Sequence, residues 1–199
     1  MGIKRIFDFI ISSIGLVILF PAFIIIAILI KATSKGTVFF RQQRVGKNGI
    51  LFYIYKFRTM KAAAGAEITI GRDSRITKLG HILRKFKIDE LPQLINVLKG
   101  EMSLVGPRPE VPRYVKFYPQ DIYNIVLSVR PGITDWASIN MINENYILAQ
   151  AADPEYEYIN VIMPKKLEFA VKYVRTHNFW QDCLIIVTTI RKICKVDVA

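Results

Sequence analysis

Two adjacent carboxylates, Asp89 and Glu90, stand in a strongly basic stretch of the sequence. A carboxylate pair can supply a nucleophile and a ligand for a divalent metal ion. Arginine and lysine side chains bind phosphate oxygens, and such residues both precede and follow the pair. The combination predicts phosphoryl transfer, with a metal ion that neutralises a diphosphate. The basic residues concerned are Lys56, Arg58, Arg84, Lys85, Lys87 and Arg108.

The sequence around Arg108 suits a fixed phosphate contact. Arg108 lies between two prolines, in a stretch from Gly106 to Pro112 that contains three of them. Because proline fixes its backbone φ angle, this stretch predicts a stiff loop. Lys56 and Arg58 end a predicted strand, so they too would project from an ordered element.

The adjacent acids also have an explanation that involves no chemistry. Carboxylates in the first turn of a helix accept backbone hydrogen bonds and complement the helix dipole. Asp89 and Glu90 stand at the predicted start of a helix that ends at Gly100, so capping alone would account for the pair. His81 and His177 have no evident carboxylate partner, and we assign them no catalytic role.

The segment from Ile10 to Ile30 carries no charge and predicts insertion into a membrane. At about 1.5 Å per residue it is long enough for a hydrocarbon core of roughly 30 Å, so a transmembrane helix is the simplest interpretation. Pro21 lies in its middle, however, and removes a backbone hydrogen bond. Basic residues flank both ends, namely Lys4, Arg5, Lys31 and Lys35. Since positive charge marks the cytoplasmic side, we predict a re-entrant helix that bends at Pro21.

These features divide the chain of 199 residues into two parts. Residues 1–35 form the predicted re-entrant membrane helix, and residues 36–199 form a small cytoplasmic catalytic domain. In this domain Asn48-Gly49 lies between two apolar runs and predicts a β-hairpin with strands over Thr37 to Phe40 and Ile50 to Phe57. Helical spacing of apolar residues elsewhere makes the fold class α+β, mainly helical. The predicted helices run from Asp73 or Ser74 through Leu83, and over Asp89 to Lys99, Val111 to Val129, Pro164 to His177 and Asp182 to Val196.

The last two predicted helices are amphipathic or apolar, with basic residues at their edges. Trp180 lies between them, and tryptophan with basic side chains favours the headgroup region of a membrane. The helices are therefore predicted to be interfacial, with ordinary core-facing helices as the alternative. Thr59 to Gly71, rich in alanine and glycine, predicts a mobile loop.

The formal net charge of +12 calls for an anionic counterpart, such as an anionic lipid surface or phosphorylated substrates. The basic residues form neither a block of like charge nor a motif with base-stacking aromatics, so no nucleic-acid partner is predicted. Charge and membrane segment alone are equally compatible with a non-enzymatic function. That alternative is a basic membrane-anchored scaffold that binds anionic lipid or partner proteins.

Several motifs, in order from about Lys4 to Thr134, resemble one known family. Together they are similar to bacterial sugar transferases of the small monotopic phosphoglycosyl transferase family, and motifs in series are far more specific than any single one. The motifs are Arg41-Gln42-Gln43-Arg44-Val45-Gly46, Lys56-Phe57-Arg58-Thr59-Met60, Arg75-Ile76-Thr77, Asp89-Glu90-Leu91-Pro92-Gln93-Leu94, Met102-Ser103-Leu104-Val105-Gly106-Pro107-Arg108-Pro109 and Arg130-Pro131-Gly132-Ile133-Thr134.

The resemblance implies an enzyme that moves a sugar-1-phosphate from a UDP-sugar to undecaprenyl phosphate and releases UMP. This reaction starts the assembly of a glycoconjugate, whether capsule, O-antigen, exopolysaccharide or glycoprotein glycan. By this analogy Asp89 attacks the phosphate and forms a phosphosugar-enzyme intermediate, while Glu90 helps to hold Mg²⁺. The residues implied to bind substrate are Arg108, Lys56, Arg58, Arg84 and Arg130. The family also implies a re-entrant helix in the lipid of the bacterial inner membrane, with the catalytic domain on the cytoplasmic face.

The sequence departs from the family pattern in two places. Asp135 to Ile142 replaces a common continuation, Gly-Trp-Ala-Gln-Val-Asn-Gly-Arg, which leaves recognition of the sugar and the uracil open. Phe20 stands where many members have serine, so the predicted bend depends on Pro21 and its packing. The sugar, the glycan pathway and the oligomeric state are not determined by the sequence, and a membrane-associated homodimer is one alternative.

Overall fold

The structure is a computed structural model that describes residues 2–61, 73–141 and 144–195 of the chain. Most of the predicted loop from Thr59 to Gly71 lies outside these ranges, as do Ile142 and the end of the predicted helix Asp182 to Val196. The described part is mainly helical and contains two small sheets, which confirms the predicted α+β class.

The first element is one long helix, α1 (Gly2–Thr33), which contains the whole predicted membrane segment. It continues through Pro21 as a single helix, although proline cannot donate the backbone hydrogen bond at that position. Among the described residues, α1 is the one helix long and apolar enough to cross a membrane. Its uncovered side chains are large and apolar, and include Ile3, Phe9, Val17, Ile18, Phe20, Ile25 and Ile28.

Both ends of α1 are bound to the rest of the protein. Near its start, the Lys4 ammonium lies 2.5 Å from Oδ2 of Asp182. Just after its end, Arg58 Nη2 donates to the carbonyl oxygen of Ser34 at 2.8 Å. Between these points the helix packs on two apolar clusters, through Phe7, Leu16 and Leu19 on one and through Phe23, Ile26 and Ile30 on the other. One face of α1 is therefore anchored, and the opposite face is left apolar and exposed.

The predicted hairpin is confirmed, with strands β1 (Phe39–Val45) and β2 (Leu51–Phe57) paired antiparallel. Its turn places Asn48 at φ 57° and Gly49 at φ 77°, the positive angles that asparagine and glycine tolerate best. β1 begins and ends later than the predicted strand, because its polar residues Arg41 to Arg44 lack the apolar alternation that marks a half-buried strand.

The next helix, α2 (Lys78–Lys85), begins later than predicted. Thr77 is its cap, and its Oγ1 accepts a hydrogen bond from the Gly80 backbone nitrogen at 2.9 Å. Asp73, one of the two predicted caps, instead accepts a bond from the backbone nitrogen of Arg75 at 2.9 Å. The predicted cap was therefore wrong, because a short turn separates Asp73 from the helix.

The predicted helix from Asp89 to Lys99 consists of two parts, a 3₁₀ segment over Ile88–Gln93 and helix α3 (Leu94–Lys99). Pro92 explains the division, since its missing N–H removes an α-helical bond and favours the tighter 3₁₀ turn. Gly100 ends α3 at φ 81°, as predicted from its residue type.

A parallel pair of three-residue strands, β3 (Ser103–Val105) and β4 (Gly132–Thr134), was not predicted. Between them lie the proline-rich loop and two short helices, α4 (Pro112–Val115) and α5 (Gln120–Val126). The continuous helix predicted there was wrong because Pro119 interrupts it. The strands approach closely: a Cβ at Gly132 would lie 2.1 Å from the Gly106 backbone nitrogen.

The remaining chain is helical, and its last two helices agree with the prediction apart from their ends. They are long, and α10 exposes Trp180, whose side chain is 80% accessible. α10 thus adds a second uncovered apolar face to that of α1. The helices are α6 (Trp136–Asn140), α7 (Glu144–Gln150), α8 (Pro154–Glu157), α9 (Met163–Thr176) and α10 (Phe179–Cys194), with a π-helical turn over Tyr158–Ile162 before α9.

Candidate active site

A cavity with a volume of about 770 Å³ gathers most of the predicted site. Four elements supply its charged wall: the end of β2, helix α2, the 3₁₀ segment and the loop after β3. Residues far apart in sequence thus meet in one place. The predicted residues that line it are Lys56, Arg58, Arg84, Asp89, Glu90 and Arg108.

Glu90 is the electrostatic centre of this wall. Its Oε1 accepts hydrogen bonds from Lys56 Nζ at 2.7 Å and from Arg108 Nη2 at 2.5 Å. Its Oε2 accepts a further bond from Arg108 Nη1 at 3.2 Å. Burial alone would raise the Glu90 pKa, but the charges of Arg108 and Lys56 outweigh it and hold the pKa well below its usual range. Glu90 is therefore an anion that orders two cations.

The two cations respond differently to burial. Desolvation lowers the pKa of Lys56 to about 8, and the charge of Glu90 only partly opposes this. The charge of Glu90 raises the pKa of Arg108 above its already high value. Arg108 is thus a permanent cation, whereas Lys56 loses its charge under mildly alkaline conditions.

Asp89 differs from its neighbour in having an unpaired oxygen. The residue is 7% exposed and lines the cavity, and its buried Oδ1 has no hydrogen-bond partner among the described residues. Burial raises the pKa of Asp89, and the negative charge of Glu90 raises it further. Burial of a carboxylate oxygen without a hydrogen-bond donor is energetically unfavourable. Asp89 is therefore suited to attack a phosphorus atom or to bind a cation.

The capping explanation of the acids finds no support in this geometry. The 3₁₀ segment starts after Lys87, which sits at φ 55° and provides no side-chain cap. Within the described ranges, neither Asp89 nor Glu90 accepts a hydrogen bond from a backbone N–H. The carboxylates face the cavity rather than their own helical turn.

Arg84 and Arg58 extend the positive wall towards α1. Arg84 Nε donates to Thr59 Oγ1 at 2.9 Å, and burial lowers the Arg84 pKa without removing its charge. Arg58 Nη2 donates to Ser34 Oγ at 2.9 Å, next to the end of α1. One edge of the cavity is therefore continuous with the end of the apolar helix.

The donor set fits a magnesium ion that arrives with phosphate. Mg²⁺ in proteins commonly takes one or two carboxylates and completes its shell with water and substrate phosphates. No group of three or more acidic, histidine or cysteine side chains suited to a metal is found in the described part of the chain. The free oxygen of Asp89 fits such a site. Glu90 already accepts three hydrogen bonds and retains about one of roughly four lone-pair positions.

A further part of the cavity wall was not predicted from the sequence. There, Arg44 Nη1 donates to Glu110 Oε1 at 3.2 Å, and the Tyr158 hydroxyl donates to Glu110 Oε2. All three line the cavity, and burial lowers the Arg44 pKa. The signal was present in part, since Arg44 belongs to a family motif and Glu110 follows the loop that carries Arg108.

Two predicted residues lie elsewhere. Arg130 lines a second cavity and donates from Nε to the carbonyl oxygen of Gly100 at 2.7 Å. Pro21 lies inside α1 and lines neither cavity. The phosphate role predicted for Arg130 therefore does not concern the Asp89 cavity.

Comparison with known proteins agrees with the motifs. A family model described as bacterial sugar transferase matches residues 1–196. The N-acetylgalactosaminephosphotransferase of Aeromonas hydrophila, which acts with UDP-N-acetylgalactosamine and undecaprenyl phosphate, is 40% identical over 96% of this chain and 43% of its own. UDP-glucose:undecaprenyl-phosphate glucose-1-phosphate transferases of Escherichia coli K12 and Caulobacter vibrioides are 37% and 32% identical, over 96% and 98% of this chain.

The matches cover a smaller share of these relatives than of this chain. The match spans 40% of the Escherichia coli protein and 70% of the Caulobacter protein, so the chain corresponds to about two fifths of the longer relatives. The motifs, the charged cavity and the match along almost the whole sequence agree, and the chain belongs to the bacterial sugar transferase family.

Proposed function

We propose that the protein transfers a sugar-1-phosphate from a UDP-sugar to undecaprenyl phosphate at a membrane surface and releases UMP. The observation that carries this proposal is the unpaired, buried oxygen of Asp89 in a cavity whose wall also holds Lys56, Arg58, Arg84 and Arg108. An anionic nucleophile among cations is what attack on a negatively charged phosphate requires. The names of the relatives point to the same donor and acceptor classes.

In the first step the cations bind the diphosphate of the donor, and a carboxylate oxygen of Asp89 attacks the phosphorus that carries the sugar. A bond forms between that oxygen and phosphorus, and the bond from phosphorus to the bridging oxygen breaks. UMP leaves with the bridging oxygen. Asp89 then holds the sugar phosphate as an acyl phosphate, with the positive wall around the transferred group.

In the second step an oxygen of undecaprenyl phosphate attacks the same phosphorus. A new diphosphate bond forms, the bond to Asp89 breaks, and the carboxylate is regenerated. The positively charged wall serves both steps, because phosphate oxygens occupy it in each. No net proton transfer is needed, so the scheme requires neither His81 nor His177.

Glu90 has a positioning role in this scheme. It holds Lys56 and Arg108 towards the cavity, and its depressed pKa keeps it ionised while it does so. Bound Mg²⁺ supplies charge that neutralises the diphosphate and the leaving UMP. The residues that would hold the ion are Glu90, as the family resemblance implies, and Asp89, through the carboxylate oxygen that does not attack phosphorus.

The contacts of α1 support a re-entrant position in the membrane. A spanning helix would separate its ends by the bilayer, whereas here Lys4 and Ser34, at opposite ends, both contact the same domain. Basic residues at both ends favour the cytoplasmic side for each. We therefore place the domain on the cytoplasmic face of a bacterial inner membrane. The cavity edge at Arg58 then lies where a lipid phosphate can reach it.

The direct test is UMP release by purified protein given undecaprenyl phosphate, Mg²⁺ and, in turn, UDP-N-acetylgalactosamine, UDP-N-acetylglucosamine and UDP-glucose. Asp89→Asn is expected to lower turnover by at least about 10³-fold and to abolish the phosphosugar adduct in the intact mass. The matched control is Asp121→Asn, which changes an exposed acid on α5. Full activity of Asp89→Asn would remove the covalent step, and no UMP from any donor would remove the proposed reaction.

The magnesium requirement is tested separately. UMP release should stop in excess EDTA and return when Mg²⁺ is restored. Calorimetry should also show that Mg²⁺ and UMP each strengthen binding of the other, since an ion held beside the carboxylates would attract the phosphate of UMP. A scaffold without a nucleotide site would show no such mutual effect. Unchanged activity in EDTA would contradict the metal assignment but leave the role of Asp89 intact.

A further inference from the structure

A second cavity, of about 250 Å³, lies near the start of α1 and away from the Asp89 site. The start of α1, the hairpin turn, the segment before β4 and the start of α10 meet around it. Four basic side chains and two acidic ones line it, which gives an excess of positive charge. These are Lys4, Arg5, Lys47 and Arg130, with Asp8 and Asp182.

Both acids are already used by the protein itself. Asp182 is 3% exposed, pairs with Lys4 at 2.5 Å and accepts a bond from the Tyr173 hydroxyl at 2.7 Å. Asp8 is likewise 3% exposed and accepts bonds from the Ser103 hydroxyl at 2.8 Å and the Leu104 nitrogen at 3.2 Å. Neither acid forms an ion pair with Arg5, Lys47 or Arg130 among the described residues, so the positive charges outnumber the negative ones in the cavity lining.

Arg5 and Arg130 both approach Gly100. Arg130 Nε donates to the Gly100 carbonyl oxygen at 2.7 Å, and Arg5 Nη2 lies 3.3 Å from the position of a Cβ on Gly100. Arg5 is held there by further hydrogen bonds, from Nη1 to the carbonyl oxygen of Val97 at 2.5 Å and from Nη2 to that of Leu98 at 2.9 Å. The terminal nitrogens of Arg130 make no hydrogen bond to the described residues.

Lys47 approaches this pair from the hairpin turn. The turn is fixed there because the Asn48 backbone nitrogen donates to the carbonyl oxygen of Leu127 at 2.7 Å. The Lys47 ammonium has no hydrogen-bond or ion-pair partner within ranges 2–61, 73–141 and 144–195. The Lys47 ammonium and the terminal nitrogens of Arg130 thus offer unused donors to a cavity that Arg5 also lines, an arrangement suited to a phosphate group.

The surroundings of the cavity are those of a membrane surface. Ile3 and Ile6, beside Lys4 and Arg5, are 76% and 61% exposed. Phe179 lines the cavity, and its neighbour Trp180 is 80% exposed. Exposed apolar and tryptophan side chains around a basic cavity are typical of the headgroup level of a bilayer.

We propose that this cavity binds the phosphate of an anionic phospholipid headgroup, through Lys47 and Arg130 with Arg5 beside them. The proposal rests on the membrane association in the proposed function but is independent of the transfer reaction. It gives the start of α1 a lipid contact of its own. It also places the phosphate role predicted for Arg130 at a different phosphate from those that react at Asp89.

The test uses native mass spectrometry of the full chain released from detergent micelles that contain equal amounts of phosphatidylglycerol and phosphatidylcholine. We expect one phosphatidylglycerol retained per chain, and a population of that complex about tenfold lower in Lys47→Gln. Arg130→Gln should act in the same direction. The control is Lys116→Gln, which removes an exposed lysine outside the cavity and should leave the complex unchanged.

Lys47→Gln keeps the test decisive if Arg130→Gln fails to fold, because the Lys47 ammonium has no partner to lose in the part of the chain that the structure describes. Equal retention of phosphatidylglycerol by wild type and Lys47→Gln would overturn the site. Equal retention of the two lipids would overturn its preference for an anionic headgroup. Loss of phosphatidylglycerol from the complex at an equal concentration of inorganic phosphate would assign the cavity to a soluble phosphate instead. UMP release, measured on the same samples, reports separately on the transfer reaction.

Discussion

Arg108 donates two hydrogen bonds to Glu90, from Nη2 to Oε1 at 2.5 Å and from Nη1 to Oε2 at 3.2 Å. Paired bonds of this kind fix the plane of the guanidinium as well as its position. The arginine is therefore oriented before substrate arrives, by the residue next to the proposed nucleophile. An enzyme that stabilises a developing charge with fixed groups avoids reorganising them during the reaction.

Arg108→Lys tests whether this orientation matters beyond charge. Lysine keeps the positive charge but cannot make two parallel bonds to one carboxylate, so Glu90 and its partners should lose their fixed geometry. We expect kcat/KM for UMP release to fall roughly 10²-fold. Arg113→Lys is the control, since Arg113 is 57% exposed and pairs at the surface with Glu155. Equal, small effects of both substitutions would reduce Arg108 to a general positive charge.

Lys56 should set an alkaline limit on activity. With a pKa lowered to about 8 by burial, its charge is complete well below that pH and is lost as the pH rises through it. Wild-type kcat/KM is therefore expected to decline above about pH 8. In Lys56→Arg the charge persists, because arginine does not lose its proton in this range, and the decline should move upwards.

The measurement is kcat/KM from about pH 6 to about pH 10 for wild type, for Lys56→Arg and for a control variant. Lys99→Arg serves as the matched control, since Lys99 is exposed on α3 and lines neither cavity. It should retain the wild-type decline. A decline near pH 8 that persists unchanged in an active Lys56→Arg enzyme would show that another group titrates there.

The sequence predicted the chemistry of the site better than it predicted the contacts between the site residues. Asp89 and Glu90 stood out because acids are rare among basic neighbours, and Asn48-Gly49 marked the hairpin because few dipeptides tolerate two positive φ angles. The pairing of Glu90 with Lys56, however, joins residues 34 positions apart across separate elements. No local pattern in the sequence reports such a contact.

The two short strands and the position of the Arg130 side chain could not be predicted from the sequence, for similar reasons. β3 and β4 have three residues each, too few to show the alternation by which strands are recognised. Arg130 was assigned by its motif to the substrate phosphates, yet its side chain turns towards Gly100 and the second cavity. A motif fixes residue type, whereas tertiary packing decides which cavity the side chain enters.

Gly132→Ala should disturb the strand pair that carries the Arg108 loop. A Cβ on residue 132 would lie 2.1 Å from the Gly106 nitrogen and 2.5 Å from its carbonyl oxygen, and both are backbone atoms that cannot rotate away. We expect the free energy of unfolding to fall by about 1–3 kcal/mol. In differential scanning fluorimetry Tm should drop by about 2–10 °C.

The control for this strand contact is Gly2→Ala, where an added Cβ meets no atom within 4 Å. It should leave Tm within experimental error. Activity gives a second readout, because displacement of Gly106 moves the loop that carries Arg108. A Gly132→Ala protein with wild-type Tm and wild-type activity would show that the strands can separate without consequence.

Pro21→Leu tests the proposed re-entrant topology, in which both ends of α1 lie on one side of the membrane. Leucine restores the backbone donor that proline lacks, so a straighter helix is favoured and a spanning topology becomes more stable. We expect part of the population to expose the start of α1 on the periplasmic side. Phe20→Leu, which keeps the proline and changes its apolar neighbour, should remain wholly cytoplasmic.

The measurement of topology is labelling of Gly2→Cys, in a background without Cys183 and Cys194, by a membrane-impermeant maleimide. Intact spheroplasts report periplasmic exposure, and inverted vesicles report cytoplasmic exposure. Labelling of Pro21→Leu only in inverted vesicles would show that Pro21 does not set the topology. The contact of Lys4 with Asp182 would then be the restraint that holds the start of α1 to the domain, and Lys4→Ala added to Pro21→Leu should release it.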